Sequence, residues 1–331
     1  MDTSAQTIDR AIDGDNTQSI GGNDALYAGV LSLFRRRYTK DLEGVDIAIS
    51  GIPFDLGTMG RSGTRFGPRA IRAASTNLAW IGGPWPWNFD PFENLAVVDA
   101  GDCVFDSGHP ERIPAAIEKH ADDILASGTQ MVTMGGDHFV TYPLLKAHHK
   151  LHGPLSLVHF DAHSDSWRED DERIDHGTMF YHAARTGLVD PARSVQIGLR
   201  TVNTETHGFN ILDADWVHER GPKAVAEKVV EIVGDNKAYL TFDIDCLDPA
   251  FAPGTGTPVC GGLSTWQAQT AIRGLVDIDF VAMDLVEVAP IYDVGDITSL
   301  AGATLCLDYL ALRAAKLPPR EGEKEDDVNP Y

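Results

Sequence analysis

An α/β fold, with a parallel sheet covered on both faces by helices, is predicted by two features of this 331-residue chain. Short apolar runs recur at the length of buried strands, and most are separated by segments whose apolar residues return at helical spacing. Alternation of that kind gives parallel strands joined by crossover helices. In chain order the strand-like runs cover 45–50, 95–99, 130–134, 155–160, 194–197, 238–242 and 280–285. A strand covered on both faces reads as a mostly apolar run without strict alternation, which is the pattern at 155–160 and 280–285. Helical spacing marks 112–125, 222–233, 265–275 and 300–315. Residues 1–24 are rich in Asp, Thr, Ser, Gln and Gly without periodic apolar positions, and 318–331 form a Pro-rich and charged tail. Both ends are expected to be flexible or disordered. No repeat or linker divides 25–317, so a single domain is expected there.

The 27 Lys and Arg stand against 49 Asp and Glu, a formal charge of −22. Such a chain repels phosphate backbones and anionic lipid and draws in cations, so nucleic acid is not an expected partner. No run approaches the roughly 18 apolar residues of a membrane span, and no membrane association is expected. Cys103, Cys246, Cys260 and Cys306 are widely spaced, form no CxxC pair and follow no signal peptide. That usage fits reduced thiols in the cytoplasm.

Parallel sheets bind ligands beyond the carboxyl ends of their strands, so the polar residues that directly follow apolar runs carry the most information. Three runs have them in density. Gly135-Gly136-Asp137-His138 ends the first, although a histidine opening a helix is often only a cap neighbour. Asp161, His163 and Asp165 follow the second at i, i+2 and i+4, and in extended backbone they share one face. Burying two carboxylates and an imidazole there is costly unless a cation compensates them; a solvated acidic loop is the alternative. Asp243 and Asp245 follow the third, while Asp248 before Pro249 reads as a turn residue. Together these are two imidazoles and four carboxylates. An oxygen-rich set suits ions such as Mn²⁺ better than a structural zinc, and carboxylates this dense favour two ions over one.

The segments GGDH at 135–138, DAHSD at 161–165 and FDIDCLDP at 242–249 resemble the signatures of the ureohydrolases, the family of arginase, agmatinase and formimidoylglutamase. The resemblance spans 45–315 and implies a three-layer α/β/α fold around a mostly parallel, eight-stranded sheet. It implies that His138, Asp161, Asp165 and Asp243 hold one manganese, and Asp161, His163, Asp243 and Asp245 a second, so that Asp161 and Asp243 bridge. Ions about 3.5 to 4 Å apart share a water and lower its pKa, making hydroxide available as nucleophile. By the same resemblance Glu287 grips the guanidinium, Thr257 lies near it, His176 moves a proton to the leaving amine and Asp165 relays the proton of the water. Asp284, earlier in the same run as Glu287, is expected to pack or orient its neighbours. A homotrimer or homohexamer is implied as well.

Other residues carry weaker expectations. The arginines of 61–69 match a family segment and are expected to pair with acids, with a place at the site entrance as the alternative. Trp80, Trp85, Trp87 and Phe89 read as one aromatic cluster for packing or subunit contact, with substrate lining as the alternative, and His148, His149, His152 and His182 as core or surface residues.

The loop 166–175 lacks the asparagine and serine pattern by which arginase recognises an α-amino acid head. DHGTMF at 175–180, NLAW at 77–80 and DPAFAPGTGTPV at 248–259 resemble bacterial agmatinases more closely, which implies hydrolysis of agmatine to putrescine and urea. Glu169, Asp170, Asp171 and Glu172 then stand near where the ammonium tail would point, unless they are only a solvated loop. A guanidino acid such as guanidinobutyrate is the alternative substrate, with Arg168 or Arg173 meeting its carboxylate. A two-metal phosphoesterase lacks support, since no Asn-His pair follows a strand, and an inactive metal-binding scaffold should have lost ligands that are all present.

Overall fold

The computed structural model describes residues 27–81, 83–169 and 173–317. The expectations for 1–24, for 318–331 and for Asp170, Asp171 and Glu172 lie outside those residues. Eight strands form one sheet. They are β1 (Ile47–Ile52), β2 (Val97–Asp102), β3 (Gln130–Gly135), β4 (Ser156–Phe160), β5 (Val195–Ile197), β6 (Asn210–Leu212), β7 (Lys237–Asp243) and β8 (Asp279–Val286). Their order is β2-β1-β3-β8-β7-β4-β5-β6, and every pairing is parallel. Seven coincide with the apolar runs; β6, three residues at the sheet edge, is too short to show a period and was not expected.

Helices cover both faces. On one lie α1 (Gly67–Ser75), α6 (Ala214–Val233), α7 (Thr265–Arg273) and α8 (Ile297–Ala314), packed on a core that includes Ile71, Val217, Val229, Ile272 and Leu305. On the other lie α3 (Ile113–Leu125), α4 (Thr141–His152) and α5 (Met179–Arg185), around Ile117, Leu144, Leu145 and Phe180. The short α2 (Pro91–Asn94) precedes β2. Helix α6 begins eight residues before the expected 222, because Asp213 caps it by accepting from the Trp216 amide; Gly221 (φ 81°) and Pro222 break its middle and hide the first half from periodicity. A capping box of Ser264 and Gln267 starts α7. Helix α8 is buried almost all round, as its nearly unbroken apolar text requires. Helices α1, α2, α4 and α5 lie outside the segments whose spacing predicts helix.

Strands β3, β8, β7 and β4 are consecutive neighbours in the middle of the sheet. Because all run the same way, the residues after them emerge side by side at one edge. Those are the segments that carry the polar clusters.

Candidate metal centre and substrate site

Beyond β3 the chain turns sharply. Gly136 N–H donates to Ile52 O (3.1 Å) and Asp137 N–H to Phe54 O (2.8 Å), while the Asp137 carboxylate accepts from Phe139 N (3.1 Å) and caps the 3-10 turn His138–Val140. A Cβ on Gly136 would stand 2.1 Å from Phe54 O, so glycine is required at this crossing. The turn carries the His138 ring into the crevice, where it is fully buried.

The segment after β4 departs from expectation. Residues 161–165 are not extended: the strand ends at Phe160, Asp161 Oδ1 accepts from His163 N (2.6 Å) and Asp165 is left-handed (φ 47°). Asp161, His163 and Asp165 therefore meet through a turn rather than through a pleat, and they face two centres. Asp243 ends β7 in the same manner, its Oδ1 accepting from Asp245 N (2.8 Å) to cap the turn Ile244–Cys246.

Two groups of ligand-type atoms separate, and a third candidate set, His138, His159 and Asp161, overlaps the first. His138 Nδ1 lies 2.9 Å from Asp165 Oδ2, 3.1 Å from Asp161 Oδ2 and 3.3 Å from Asp243 Oδ2. His163 Nδ1 lies 3.1 Å from Asp245 Oδ2 and 3.4 Å from Asp161 Oδ1. Asp161 belongs to both through different oxygens; among the described residues Asp243 falls in the first group alone.

The chemistry of the first group fits a cation. His138 Nε2 donates to Thr241 Oγ1 (2.8 Å), and Thr241 donates to Asp284 Oδ1 (2.5 Å). Thr141 and Tyr239 donate to Asp284 Oδ2, each at 2.8 Å, so Asp284 orients its neighbours. With its proton on Nε2, His138 turns the Nδ1 lone pair toward three carboxylate oxygens, and Nδ1 makes no hydrogen bond. A lone pair and three anionic oxygens around one point repel unless positive charge sits between them. Without a cation a proton takes that place, since burial is outweighed by Asp161, Asp165 and Asp243, which raise the His138 pKa well above its ordinary value. Burial opposes charge on His163, yet Asp161 and Asp245 push it up to about 12. Burial would raise Asp161, but His159, His138 and His163 hold it well below the usual range. Burial, with Asp245 and Asp161 nearby, pushes Asp243 up.

Glu287 follows β8 in a left-handed conformation (φ 64°). Its Oε1 accepts from His138 N (2.9 Å) and lies 3.3 Å from His176 Nδ1. Its Oε2 is buried and makes no hydrogen bond. A Cβ on Gly256 would come 3.7 Å from that oxygen and 2.8 Å from Arg61 O, so the 253–258 loop crosses close over it. In the neutral ring Met59 N–H donates to His176 Nε2 (3.2 Å); burial lowers the His176 pKa but Glu287 raises it more, to about 9, so the ring can carry a second proton on Nε2. Thr257 donates to Asp245 Oδ2 (3.2 Å), which places it beside the second group.

The remaining candidates divide. Arg65 pairs with Asp55, whereas Arg61 donates to the carbonyls of Thr255 (2.7 Å) and Gly256 (3.2 Å) and stacks 4.3 Å over Tyr292, supporting that loop rather than an acid. The aromatic cluster is not one unit. Trp87 and Phe89 touch (5.8 Å) and pack on the core, but Trp80 and Trp85 are 52% and 81% exposed. Asp248 is a turn residue, accepting from the amides of Ala250, Gly261 and Gly262. His148 and His182 are buried, His149 and His152 half-buried. All four cysteines are free, and no helix among the described residues is long and apolar enough to cross a membrane. Expectation missed His159, whose Nε2 is 2.7 Å from Asp161 Oδ2; an imidazole inside the apolar run that leads into Asp161 was the available signal.

Relatives match this arrangement over most of its length. An agmatinase of Chromobacterium violaceum is 56% identical over 292 residues, 88% of this chain and 90% of that protein. Among solved structures, a hypothetical agmatinase from Burkholderia thailandensis superposes with a TM-score of 0.88 at 55% identity, covering 91% of this chain and 98% of that one. Proclavaminate amidino hydrolase from Streptomyces clavuligerus follows with a TM-score of 0.83 at 35% identity, over 88% and 99%. The model of the arginase family matches residues 45–311, which takes in all eight strands and every residue of both ligand groups. The chain belongs to the arginase family.

Proposed function

We propose that the protein hydrolyses agmatine to putrescine and urea, using two Mn²⁺ ions per subunit. The ligands would be His138, Asp161, Asp165 and Asp243 for one ion and Asp161, His163, Asp243 and Asp245 for the other. When bound, the ions supply a water that is ionised near neutral pH. Glu287 carries the substrate reading. Its Oε1 is held by His138 N, and its buried Oε2 is left to accept from a cationic N–H fork such as a guanidinium. Water adds to the guanidinium carbon, the bond from that carbon to the alkyl nitrogen breaks, and the amine leaves as it gains a proton. Asp165, 2.9 Å from His138 Nδ1, takes the proton of the water, and His176, fixed by Glu287 and Met59, delivers one to the amine. Thr257 stands by with its hydroxyl on Asp245.

The high identity to named agmatinases supports agmatine over its rival. A guanidino acid would need a cation, and Arg173 is engaged with Asp175 (2.8 Å). We read 25–317 as one domain and, from the family resemblance, a homotrimer or homohexamer, for which exposed apolar side chains such as Phe66 and Ile291 offer contact area. Free, mostly buried cysteines support a cytoplasmic location. Comparing kcat/KM for urea release from agmatine, arginine, guanidinobutyrate and guanidinopropionate tests the substrate. Agmatine should lead, and activity should vanish with a chelator and return with Mn²⁺. A higher kcat/KM on either guanidino acid, or on arginine, would overturn the assignment.

A further inference from the structure

A row of polar side chains crosses the middle of the sheet beneath the ligands. Thr133 on β3 is in register with Asp284 on β8, Asp284 with Thr241 on β7, Thr241 with His159 on β4, and His159 with Gln196 on β5. All five are buried among apolar neighbours. The Asp284 end fixes the tautomer of His138, as described above. The Gln196 end does something parallel for Asp161.

The argument starts at a carbonyl, which can only accept. Gln196 lies 2.6 Å from Ser164 O, so the amide nitrogen, not its oxygen, faces that atom. The same nitrogen is 3.0 Å from His159 Nδ1 and donates to it. Nδ1 therefore carries a lone pair and the ring proton is on Nε2, which lies 2.7 Å from Asp161 Oδ2 and donates to it. The Phe180 ring packs at 4.6 Å from the His159 ring and 5.3 Å from His138, and keeps both from turning. Asp161 is the residue shared by the two ligand groups, with Oδ2 toward His138 and Oδ1 toward His163. A donor locked on Oδ2 sets the plane of that carboxylate for both groups at once.

We propose that His159, held as its Nε2–H tautomer by Gln196, is a positioning residue that orients Asp161 for metal binding. The proposal rests on the metal-centre reading above. It concerns a fixed tautomer, so no change of protonation is involved. Partners of this kind behind a ligand contribute about 10- to 100-fold to metal affinity.

The test is Mn²⁺ titration of the metal-stripped full chain, read by competition with a chromophoric chelator, alongside the Tm of the metal-free protein. His159→Leu removes the donor. His159→Gln returns an amide N–H near the Nε2 position, and Gln196→Met removes the lock. We expect His159→Leu to bind Mn²⁺ about 10- to 100-fold more weakly, Gln196→Met to fall between, and His159→Gln to recover most of the loss at similar metal-free Tm. Wild-type affinity in both His159→Leu and Gln196→Met overturns the proposal while leaving the metal centre standing. So does a His159→Gln as weak as His159→Leu, because ring shape rather than the N–H would then matter. If His159→Leu does not fold, Gln196→Met decides: a weakened affinity supports the lock and an unchanged one overturns it. A wild-type chain that takes up no Mn²⁺ overturns the metal-centre reading and this proposal with it.

Discussion

The two oxygens of Glu287 have different surroundings: Oε1 is held by the His138 amide, and Oε2 is buried without a partner. Glu287→Gln keeps an acceptor for that amide but removes the charge a guanidinium would meet. A hydrogen bond to a charged group is worth about 3 kcal/mol at most, so kcat/KM for agmatine should fall about a hundredfold with Mn²⁺ content unchanged. Steady-state rates beside metal analysis check this, and an unaltered kcat/KM would remove Glu287 from recognition. His176→Asn should lower kcat by about 10²- to 10⁴-fold, again with metal retained, as expected for loss of a proton donor. Asp161→Asn and Asp243→Asn should instead lose metal; an Asp243→Asn chain that keeps both ions would contradict a bridging role. The ligand-type residues were legible because each comes directly after an apolar run, where a carboxylate or imidazole stands out. Thr241 and Gln196 were not, because each sits inside a strand and is given meaning by a partner on another, and His159, although close to Asp161 in the chain, needs Gln196 on the next strand to fix its tautomer. His159 and Gln196 are 37 residues apart in the chain.

Strand-sized units were the most legible, since a short, mostly apolar run has few other uses in a parallel sheet. Helices were less so. Helix α4 carries His148, His149 and His152 among its apolar positions and α5 spans seven residues, so neither shows a clear stripe. Pleat arithmetic also misled at 161–165, because the strand had already ended. What aims the site is the set of turns after the strands, and Gly136 is the tightest of them. It donates to Ile52 O and accepts from Glu287 N (2.9 Å), so β1, β3 and β8 meet at one residue. In Gly136→Ala the new methyl would press on backbone oxygens of Phe54 and Ile52, at 2.1 and 2.7 Å, which cannot swing away as a side chain would. Such overpacking costs about 1 to 3 kcal/mol and should shift both His138 and Glu287. Ser264→Ala, at the start of α7 and outside both ligand groups, should cost about 1 kcal/mol with kcat/KM intact. Chemical denaturation and urea release measured on both variants separate the two cases, and a fully active Gly136→Ala would show that the turn tolerates displacement.

At the scale of the whole molecule, a chain of net charge −22 gathers buried carboxylates from β4 and β7 into one crevice. Without a cation, that concentration is relieved by protons. His163 is pushed up to about 12 by Asp161 and Asp245 against the effect of burial, and burial, with neighbouring carboxylates, pushes Asp243 and Asp245 up. A group whose pKa is higher in the folded state stabilises the fold below its unfolded value, and that contribution is lost as pH rises toward the folded one. For the imidazole the loss begins near the ordinary 6.5, and for the carboxylates near 3.8. The metal-free protein should therefore become less stable between about pH 6 and about pH 8. Metal loading runs the other way, because ligands must give up these protons to bind, and each proton displaced makes affinity rise about tenfold per pH unit. Ion present at about 100 times its Kd adds about 2.7 kcal/mol, so the stabilisation at fixed Mn²⁺ grows as Kd falls. Melting curves at the two pH values, with chelator and with Mn²⁺, should show a gap in Tm that widens at the higher pH, and calorimetry in buffers of different ionisation enthalpy should register proton release. A gap that stays constant or narrows would mean that these side chains do not exchange protons for metal.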